Sequence, residues 1–334
     1  MDASQVRLPA FWLRNGHLQS VLSSSAVRRW RGHRRLQALG AVSRELLLDG
    51  GNGVRLQAFH TAVPGRPPVA LALLLHGWEG SAESGYVRQS AASLLAAGVD
   101  VVRLNFRDHG DTLHLNPGIF HSARIDEVVQ AAGDVASRFP DLPLLAAGYS
   151  LGGNFALRLG LRAPAAGLPL RRIAAVCPVL DPENAMCRME QGNAVYARYF
   201  HRKWTASLRR KRALFPDQMA ACTDQVLSQD LRALTDWLAR RHAGFDGIES
   251  YFQAYSIAGE RIAGLEVPAA VLMASDDPVI PVEDFQHWPL PPHSTLEVLP
   301  WGGHCGFLHN LRGDGWSEHW ITRHLLDGMA SAGR

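Results

Sequence analysis

The sequence has little of several features that would mark a particular class of protein. Its net charge is only +3 over 334 residues, which is too small to indicate a nucleic-acid-binding protein. Its apolar runs, such as VALALLL at 69–75, fall far short of the roughly 20 residues that a membrane-spanning helix needs. The N-terminus lacks the basic, apolar and small-residue order of a signal peptide. These absences favour a soluble, cytoplasmic protein without a nucleic-acid partner, and they leave a peripheral membrane or lipid contact open.

Cysteine is also scarce. The four cysteines have no C-x-x-C spacing, so we expect free thiols in a reducing compartment. They are Cys177, Cys187, Cys222 and Cys305. No cluster of histidines and carboxylates has metal-ligand spacing, so we predict no metal.

Two basic clusters stand out against the low net charge. They read RRWRGHRR at 28–35 and RRKR at 209–212. The first interpretation of both is solvated surface, and the second is a patch that attracts anionic head groups or phosphates.

Short, unbroken apolar runs alternate with helical patterns along most of the chain. Strands that helices cover on both faces have this composition, and the alternation predicts a doubly wound, mostly parallel α/β sheet. The clearest helix lies in 121–139, before Pro140, and a second precedes the C-terminus. Near the start, RELLLD and VRLQAFHT flank GGNG, which predicts an antiparallel hairpin at the sheet edge.

The strand pattern lapses between about 182 and 264, where aromatic and basic residues are frequent. We expect this stretch to be a mostly helical cap inserted into the α/β core. The predicted division is therefore an N-terminal arm at 1–40, a core at 41–181 and 265–334, and the cap at 182–264. The arm is expected to pack against the body of the protein.

The segment AAGYSLGGNF (146–155) contains a G-x-S-x-G motif centred on Ser150. A buried strand precedes the serine and a helix follows it, so Ser150 is predicted to lie at a sharp strand-to-helix turn. Such a turn strains the serine backbone and requires small neighbours, here Gly148 and Gly152. A glycine-rich turn that serves packing alone is the alternative.

A serine hydroxyl needs a base, and the base needs an acid. His304, in the glycine-flanked loop of LPWGGHCGF, follows a strand-like run and is the predicted base, and His309 is a weaker candidate. VLMASDDPVIP ends a strand in two aspartates. Asp277 is the predicted acid, and Asp276 is predicted to be a turn or capping residue. The order Ser150, Asp277, His304 is that of α/β-hydrolases.

Two backbone N–H groups are expected to bind the oxyanion of the reaction. One belongs to Leu151, directly after the nucleophile, and the other to Trp78 in LLLHGWEGS. His76 in that loop is expected to serve loop geometry. NFRDHGDT (105–112) is predicted to be a hydrogen-bonded turn that shapes the pocket wall, with acid-base chemistry as the alternative.

These motifs together resemble the α/β-hydrolase superfamily over roughly residues 44–334 and, within it, the YheT-like branch of serine hydrolases. The segments that carry the resemblance to this branch are PAFWLRNGHLQSVL (9–22), HGWEGS followed by SGY, and GYSLGGN paired with GGHCGFL. The resemblance implies a carboxylesterase or lipase-like hydrolase that acts on small-molecule acyl esters without a cofactor. The same scaffold supports acyl transfer and thioester hydrolysis, and a non-catalytic binding protein of this fold is a third possibility.

Overall fold

The computed structural model describes residues 9–310 and 312–328. The first eight residues of the predicted arm, residue 311 and the last six residues of the predicted core lie outside the described residues.

An eight-stranded sheet forms the centre of the molecule, in the spatial order β1-β2-β4-β3-β5-β6-β7-β8. The strands are β1 (Val42–Asp49), β2 (Arg55–Ala62), β3 (Ala70–Leu75), β4 (Val99–Leu104), β5 (Leu144–Tyr149), β6 (Leu170–Val176), β7 (Ala269–Ala274) and β8 (Thr295–Leu299). β1 and β2 form the expected antiparallel hairpin at one edge, and β2 also pairs antiparallel with β4. All the other pairs are parallel. The prediction of a mostly parallel α/β sheet is confirmed.

Helices cover both faces of the sheet, which is why its central strands are almost entirely apolar, with Asp100 and Arg103 of β4 as buried exceptions. The helices of the described chain that flank the sheet are α3 (Gly85–Ala96), α4 (Ile125–Arg138), α5 (Leu151–Arg162) and α11 (Ser317–Leu326). α3 packs with α11, and α4 packs with α5. Every residue of β3, β4, β5 and β7 is buried.

Five helices and no strand lie between β6 and the short 3-10 helix Gly259–Ile262, all within the described residues. They are α6 (Pro182–Gln191), α7 (Ala194–Leu214), α8 (Asp224–Leu227), α9 (Leu231–His242) and α10 (Ile248–Tyr255). We call residues 182–264 the helical insertion. None of the described helices is long and apolar enough to cross a membrane.

Two helices precede the sheet, α1 (Gly16–Ser23) and α2 (Ala26–Ala38). α2 packs against α3, and its Arg28 is fully buried in an ion pair with Glu318 of α11. The interpretation of 28–35 as solvated surface is therefore wrong for Arg28. Burial lowers the pKa of this guanidinium to about 10, which leaves it charged at neutral pH.

Candidate active site

Ser150 lies at the sharp turn between β5 and α5. Its backbone has φ 55° and ψ −121°, in the region that residues other than glycine rarely adopt. A Cβ on Gly148 would lie 2.0 Å from the carbonyl oxygen of Gly152, and a Cβ on Gly152 would lie 2.3 Å from that of Leu75. The turn therefore requires both glycines, for the steric reason that the sequence indicates.

His304 and Asp277 lie beside this serine, as their order in the chain predicts. The Nε2 atom of His304 is 2.9 Å from Ser150 Oγ, and its Nδ1 atom is 2.9 Å from Asp277 Oδ2. The three side chains form one continuous line of hydrogen bonds. His309 lies in the following loop, where its backbone N–H donates to the carbonyl oxygen of Asp314 at 3.1 Å.

Both aspartates after β7 hold this arrangement in place. Asp277 Oδ1 accepts the backbone N–H groups of Val279 at 2.8 Å and Ile280 at 2.9 Å, which leaves Oδ2 for the histidine. Asp276 Oδ1 accepts the N–H groups of Gly302 and Gly303 at 2.9 and 2.8 Å. Asp276 thus fixes the loop that carries His304, in agreement with the turn role predicted for it.

The electrostatic environment of His304 is dominated by two opposing effects. Burial disfavours the charged imidazolium, but the Asp277 carboxylate, together with the neighbouring Cys305, outweighs burial and raises the pKa of His304 well above its usual value. The side chain of Asp277 is fully buried, so solvent screens the attraction little. The imidazole is therefore poised to accept and hold a proton.

The loop after β3 approaches Ser150 from the other side. A Cβ on Gly77 would lie 3.3 Å from the Cβ of Ser150. The backbone N–H groups of Trp78 and Leu151 have no hydrogen-bond acceptor among the described residues. His76 is fully buried: its Nδ1 bonds the carbonyl oxygen of Gly77 at 2.7 Å, and burial lowers its pKa well below the usual value. A neutral, internally bonded His76 agrees with a role in loop geometry.

One residue in contact with the site was missed in the sequence. The backbone N–H of His304 donates to Ser20 Oγ at 2.7 Å, and the Ser20 hydroxyl donates to the carbonyl oxygen of Gly16 at 2.6 Å. Gly16 itself abuts the acid loop, because a Cβ there would lie 2.0 Å from the carbonyl oxygen of Asp276. The quoted RNGHLQS segment was the available signal, but no spacing rule links it to a loop near residue 304.

An apolar pocket opens beside Ser150, between the sheet and the helical insertion. It encloses about 760 Å³ of empty space, its solvent-filled mouth included. Its apolar lining from the insertion includes Met186, Met189, Phe200, Trp204, Leu238 and Phe252. Trp78 stacks on Phe200 with 5.1 Å between ring centroids and meets Trp204 edge-on at 5.4 Å. The loop predicted to bind the oxyanion is thus packed directly against the insertion.

The polar segment NFRDHGDT forms a hydrogen-bonded turn, and it ties the insertion to the core. Asp108 Oδ2 accepts the N–H of Phe120 at 2.9 Å, and Oδ1 accepts from Lys211 Nζ at 2.7 Å. Lys211 of α7 is only 1% exposed. The interpretation of 209–212 as solvated surface is therefore wrong for Lys211, although Arg209 and Arg210 are exposed.

All four cysteines lie within the described residues, and none forms a disulfide. The potential ligand atoms of Cys177, His304 and Cys305 lie within 4.8 Å of one another. This group differs from the histidine-carboxylate clusters considered in the sequence, because the fold assembles it from distant segments. Both ring nitrogens of His304 already contact Asp277 and Ser150, so an ion there would compete with those contacts. The absence of a functional metal stays a prediction.

A family model described as "Alpha/beta hydrolase family" matches residues 72–313, a range that contains Ser150, Asp277 and His304. The chain belongs to the alpha/beta hydrolase family. The resemblance noted in the sequence is confirmed, and the family's fold agrees with the observed sheet.

Individual proteins with similar sequences or structures agree with this family assignment. The Escherichia coli protein "Putative esterase YheT" is 28% identical over 266 residues, which are 76% of this chain and 76% of that protein. The Mus musculus protein "Phospholipase ABHD3" is 24% identical over 268 residues, which are 76% of this chain and 61% of that protein. Among solved structures, the Pyrococcus furiosus esterase Pf2001 has a TM-score of 0.58 at 14% identity, over 87% of this chain and 94% of that one. At this identity the structural likeness shows the fold alone.

Proposed function

We propose that the protein is a serine hydrolase that cleaves carboxylic esters through a covalent acyl-enzyme. The observation that carries this proposal is the line of hydrogen bonds from Ser150 Oγ through His304 to Asp277 at the base of an apolar pocket. Membership of the hydrolase family and relatives named as an esterase and a phospholipase support a hydrolase with ester or lipid substrates.

In the first half of the proposed reaction, Ser150 Oγ attacks the ester carbonyl while His304 Nε2 takes its proton. Asp277 holds the Nδ1–H tautomer and stabilises the imidazolium that forms. The alcohol then leaves with the proton from His304 Nε2, and the acyl group stays on Ser150. In the second half, His304 Nε2 takes a proton from water as the water oxygen attacks the acyl carbon. The bond from that carbon to Ser150 Oγ then breaks, Oγ takes the proton back from His304, and the carboxylic acid leaves.

The negative charge on the carbonyl oxygen needs donors that are in place before the reaction. We assign this role to the backbone N–H groups of Trp78 and Leu151, which flank Ser150 and have no acceptor among the described residues. One such donor is typically worth about 3 kcal/mol of the barrier. The N-terminus of α5 beneath Ser150 adds a favourable partial charge.

The helical insertion is proposed to cover the site and bind the acyl chain. Apart from Thr235, its side chains in the pocket are aliphatic, sulfur-containing or aromatic, which suits an alkyl chain better than a charged substrate. The two methionines, Met186 and Met189, fill irregular space and adapt to more than one chain length. Arg209 and Arg210 are exposed on the insertion and do not line the pocket. These two arginines are the observation that would support a preference for phosphate-bearing esters.

The test is hydrolysis of p-nitrophenyl esters of increasing acyl length by the wild type, by Ser150→Ala and by Ser122→Ala. Ser122 lines the same pocket and serves as the matched control. We expect the wild type and Ser122→Ala to be active and Ser150→Ala to lose activity by several orders of magnitude. A fluorophosphonate probe should label the wild type and fail to label Ser150→Ala.

Full activity in Ser150→Ala would refute the proposal. A wild type that neither hydrolyses esters nor reacts with the fluorophosphonate would favour the non-catalytic alternative. Labelling without hydrolysis, followed by turnover when an alcohol or thiol acceptor is added, would assign acyl transfer instead.

A further inference from the structure

In α1 and α2, several polar side chains are buried and several apolar side chains are exposed. In α1 the buried side chains are the polar Gln19, Ser20 and Ser23, whereas the apolar Leu18 and Val21 face solvent. Gln19 is buried because its amide donates to the carbonyl oxygens of Leu13 and Leu308 and its Oε1 accepts the N–H of Leu308. The polar face of α1 is therefore used inside the protein, and within the described part of the chain its apolar Leu18 and Val21 stay exposed.

α2 repeats this inversion. Arg28, Gly32 and Leu36, at spacings of four residues, form its buried stripe. Val27 and Trp30 lie on the opposite face, where they are 53% and 61% exposed. An exposed tryptophan on a helix whose arginine is buried is the reverse of the usual distribution.

The exposed apolar side chains of the described residues are concentrated in this part of the chain. Six of the 13 large ones come from residues 11–30. They are Phe11, Trp12, Leu18, Val21, Val27 and Trp30. We call these six residues, which all lie within 11–30 of the chain, the arm patch, and exposed apolar side chains grouped in this way are typical of an interaction surface.

The charge of the same segment points to the chemistry of the partner. Residues 3–44 contain eight arginines and no acidic residue, although the whole chain has a net charge of only +3. On α2, Arg29 and Arg34 are exposed and have no carboxylate partner among the described residues. The Arg34 guanidinium lies 5.7 Å from the ring centroid of Trp30, so cation and aromatic ring share one face.

We propose that the arm patch docks the protein onto an anionic lipid surface. Aromatic and aliphatic side chains flanked by arginines are the composition of interfacial helices, which insert their apolar face between head groups. A second copy of the chain fits less well, because a two-fold interface brings the same residues together and would oppose unpaired arginines. Nucleic acid fits less well because it would leave the apolar side chains without a partner.

Docking through the arm would bring the membrane against a segment that also contacts the surroundings of the candidate site. Ser20 of α1 binds the loop of His304, and His17 Nδ1 bonds the Tyr196 hydroxyl of the insertion at 2.9 Å. The arm thus contacts the core loop and the insertion that border Ser150.

The test is co-sedimentation of the full chain at low ionic strength with vesicles of phosphatidylcholine alone and of phosphatidylcholine with phosphatidylglycerol at 3:1. Two variants perturb the arm, Val27→Ser/Trp30→Ser and Arg29→Gln/Arg34→Gln. Two matched controls change exposed residues elsewhere, Val69→Ser before β3 and Arg209→Gln/Arg210→Gln on α7. Thermal unfolding of each variant confirms that it is folded.

We expect the wild type and both controls to bind only the anionic vesicles. The arginine variant should lose roughly 30-fold in partitioning, since each arginine near an anionic surface contributes about fivefold. The apolar variant should also lose most of its binding. No sedimentation of the wild type, or equal sedimentation of the folded arm variants, would overturn the proposal.

Two further outcomes would assign the patch to another partner and overturn the proposal. The first is a dimer, detected by sedimentation equilibrium without lipid, that the substitution Val27→Ser/Trp30→Ser converts to a monomer. Binding to a duplex DNA that depends on Arg29 and Arg34 and not on Val27 and Trp30, without vesicle binding, would indicate a nucleic-acid surface.

Discussion

Replacement of Lys211 by methionine should be among the most destabilising changes outside the core. The ammonium group uses its three protons on Asp108 Oδ1 at 2.7 Å, the carbonyl oxygen of Leu113 at 2.9 Å and the carbonyl oxygen of Asn116. Methionine keeps the length of the side chain and removes the charge. The variant therefore leaves one buried carboxylate and two carbonyl groups without their donor.

The magnitude follows from what remains buried. Burial raises the pKa of Asp108 above its usual value even with Lys211 present, although Lys211 opposes this effect. Loss of one partner of such a pair typically costs about 3–5 kcal/mol. An unfolding entropy of about 2.1 cal/mol/K per residue gives roughly 0.7 kcal/mol/K for a chain of this length, so the melting temperature should fall by about 4–7 °C.

The assay is a double-mutant cycle of Lys211→Met, Asp108→Asn and the double variant, followed by urea and thermal unfolding. The double variant should be less destabilised than the sum of the single ones, because it removes the uncompensated carboxylate. In Lys211→Met, Asp108 takes up a proton on folding, so stability falls as pH rises and the penalty should be smaller at pH 5 than at pH 7. Arg210→Met, an exposed neighbour, should change stability by less than about 0.5 kcal/mol.

A melting temperature of Lys211→Met within 1 °C of the wild type would refute this reasoning. It would mean that the ammonium group contributes no more than an exposed cation and that the insertion is held by its apolar contacts alone.

Three further predictions concern the candidate site. Asp277 raises the pKa of His304, and the base must be neutral to act, so a pH profile of kcat/KM should rise along a limb whose midpoint lies above pH 6.5. The Asp277→Asn substitution should move that limb to lower pH and reduce kcat by about 10⁴-fold. Gly148→Ala should abolish fluorophosphonate labelling and lower the melting temperature, whereas Gly264→Ala should change neither, because no atom lies within 4 Å of a Cβ there. Ser20→Ala should lower kcat about fivefold with KM unchanged, the expected effect of one hydrogen bond that positions the base loop; a changed KM with constant kcat would contradict this role.

The sequence carried enough information to predict the central part of the fold. Fully buried parallel strands are mostly apolar runs, so β3, β4, β5 and β7 could be recognised without any knowledge of their order in the sheet, even though β4 contains Asp100 and Arg103. The turn at Ser150 could be predicted because its strain demands glycines at fixed positions. The candidate acid and base followed from strand ends, where a doubly wound sheet gathers its functional side chains.

Contacts between distant segments could not be predicted in this way. A lysine in a basic cluster is usually solvated, and only the fold brings Asp108 and two carbonyl groups to Lys211. The inversion of α1 likewise has no local signal, since Gln19 is buried only because Leu13 and Leu308 offer hydrogen bonds to it. The hydrophobic pattern alone would have turned this helix the other way.

The bond between Ser20 and His304 has a consequence for how the molecule is made. The hydroxyl leaves the ribosome well before its partner does, because the N–H that donates to it lies 284 residues further along the chain. Gln19 and Arg28 likewise bind partners that are synthesised much later, Leu308 and Glu318. The arm therefore cannot complete these contacts until residues 304–318 have been synthesised. A chain that ended before residue 304 would carry Ser150 without the candidate base and without the arm contact that holds the loop of that base.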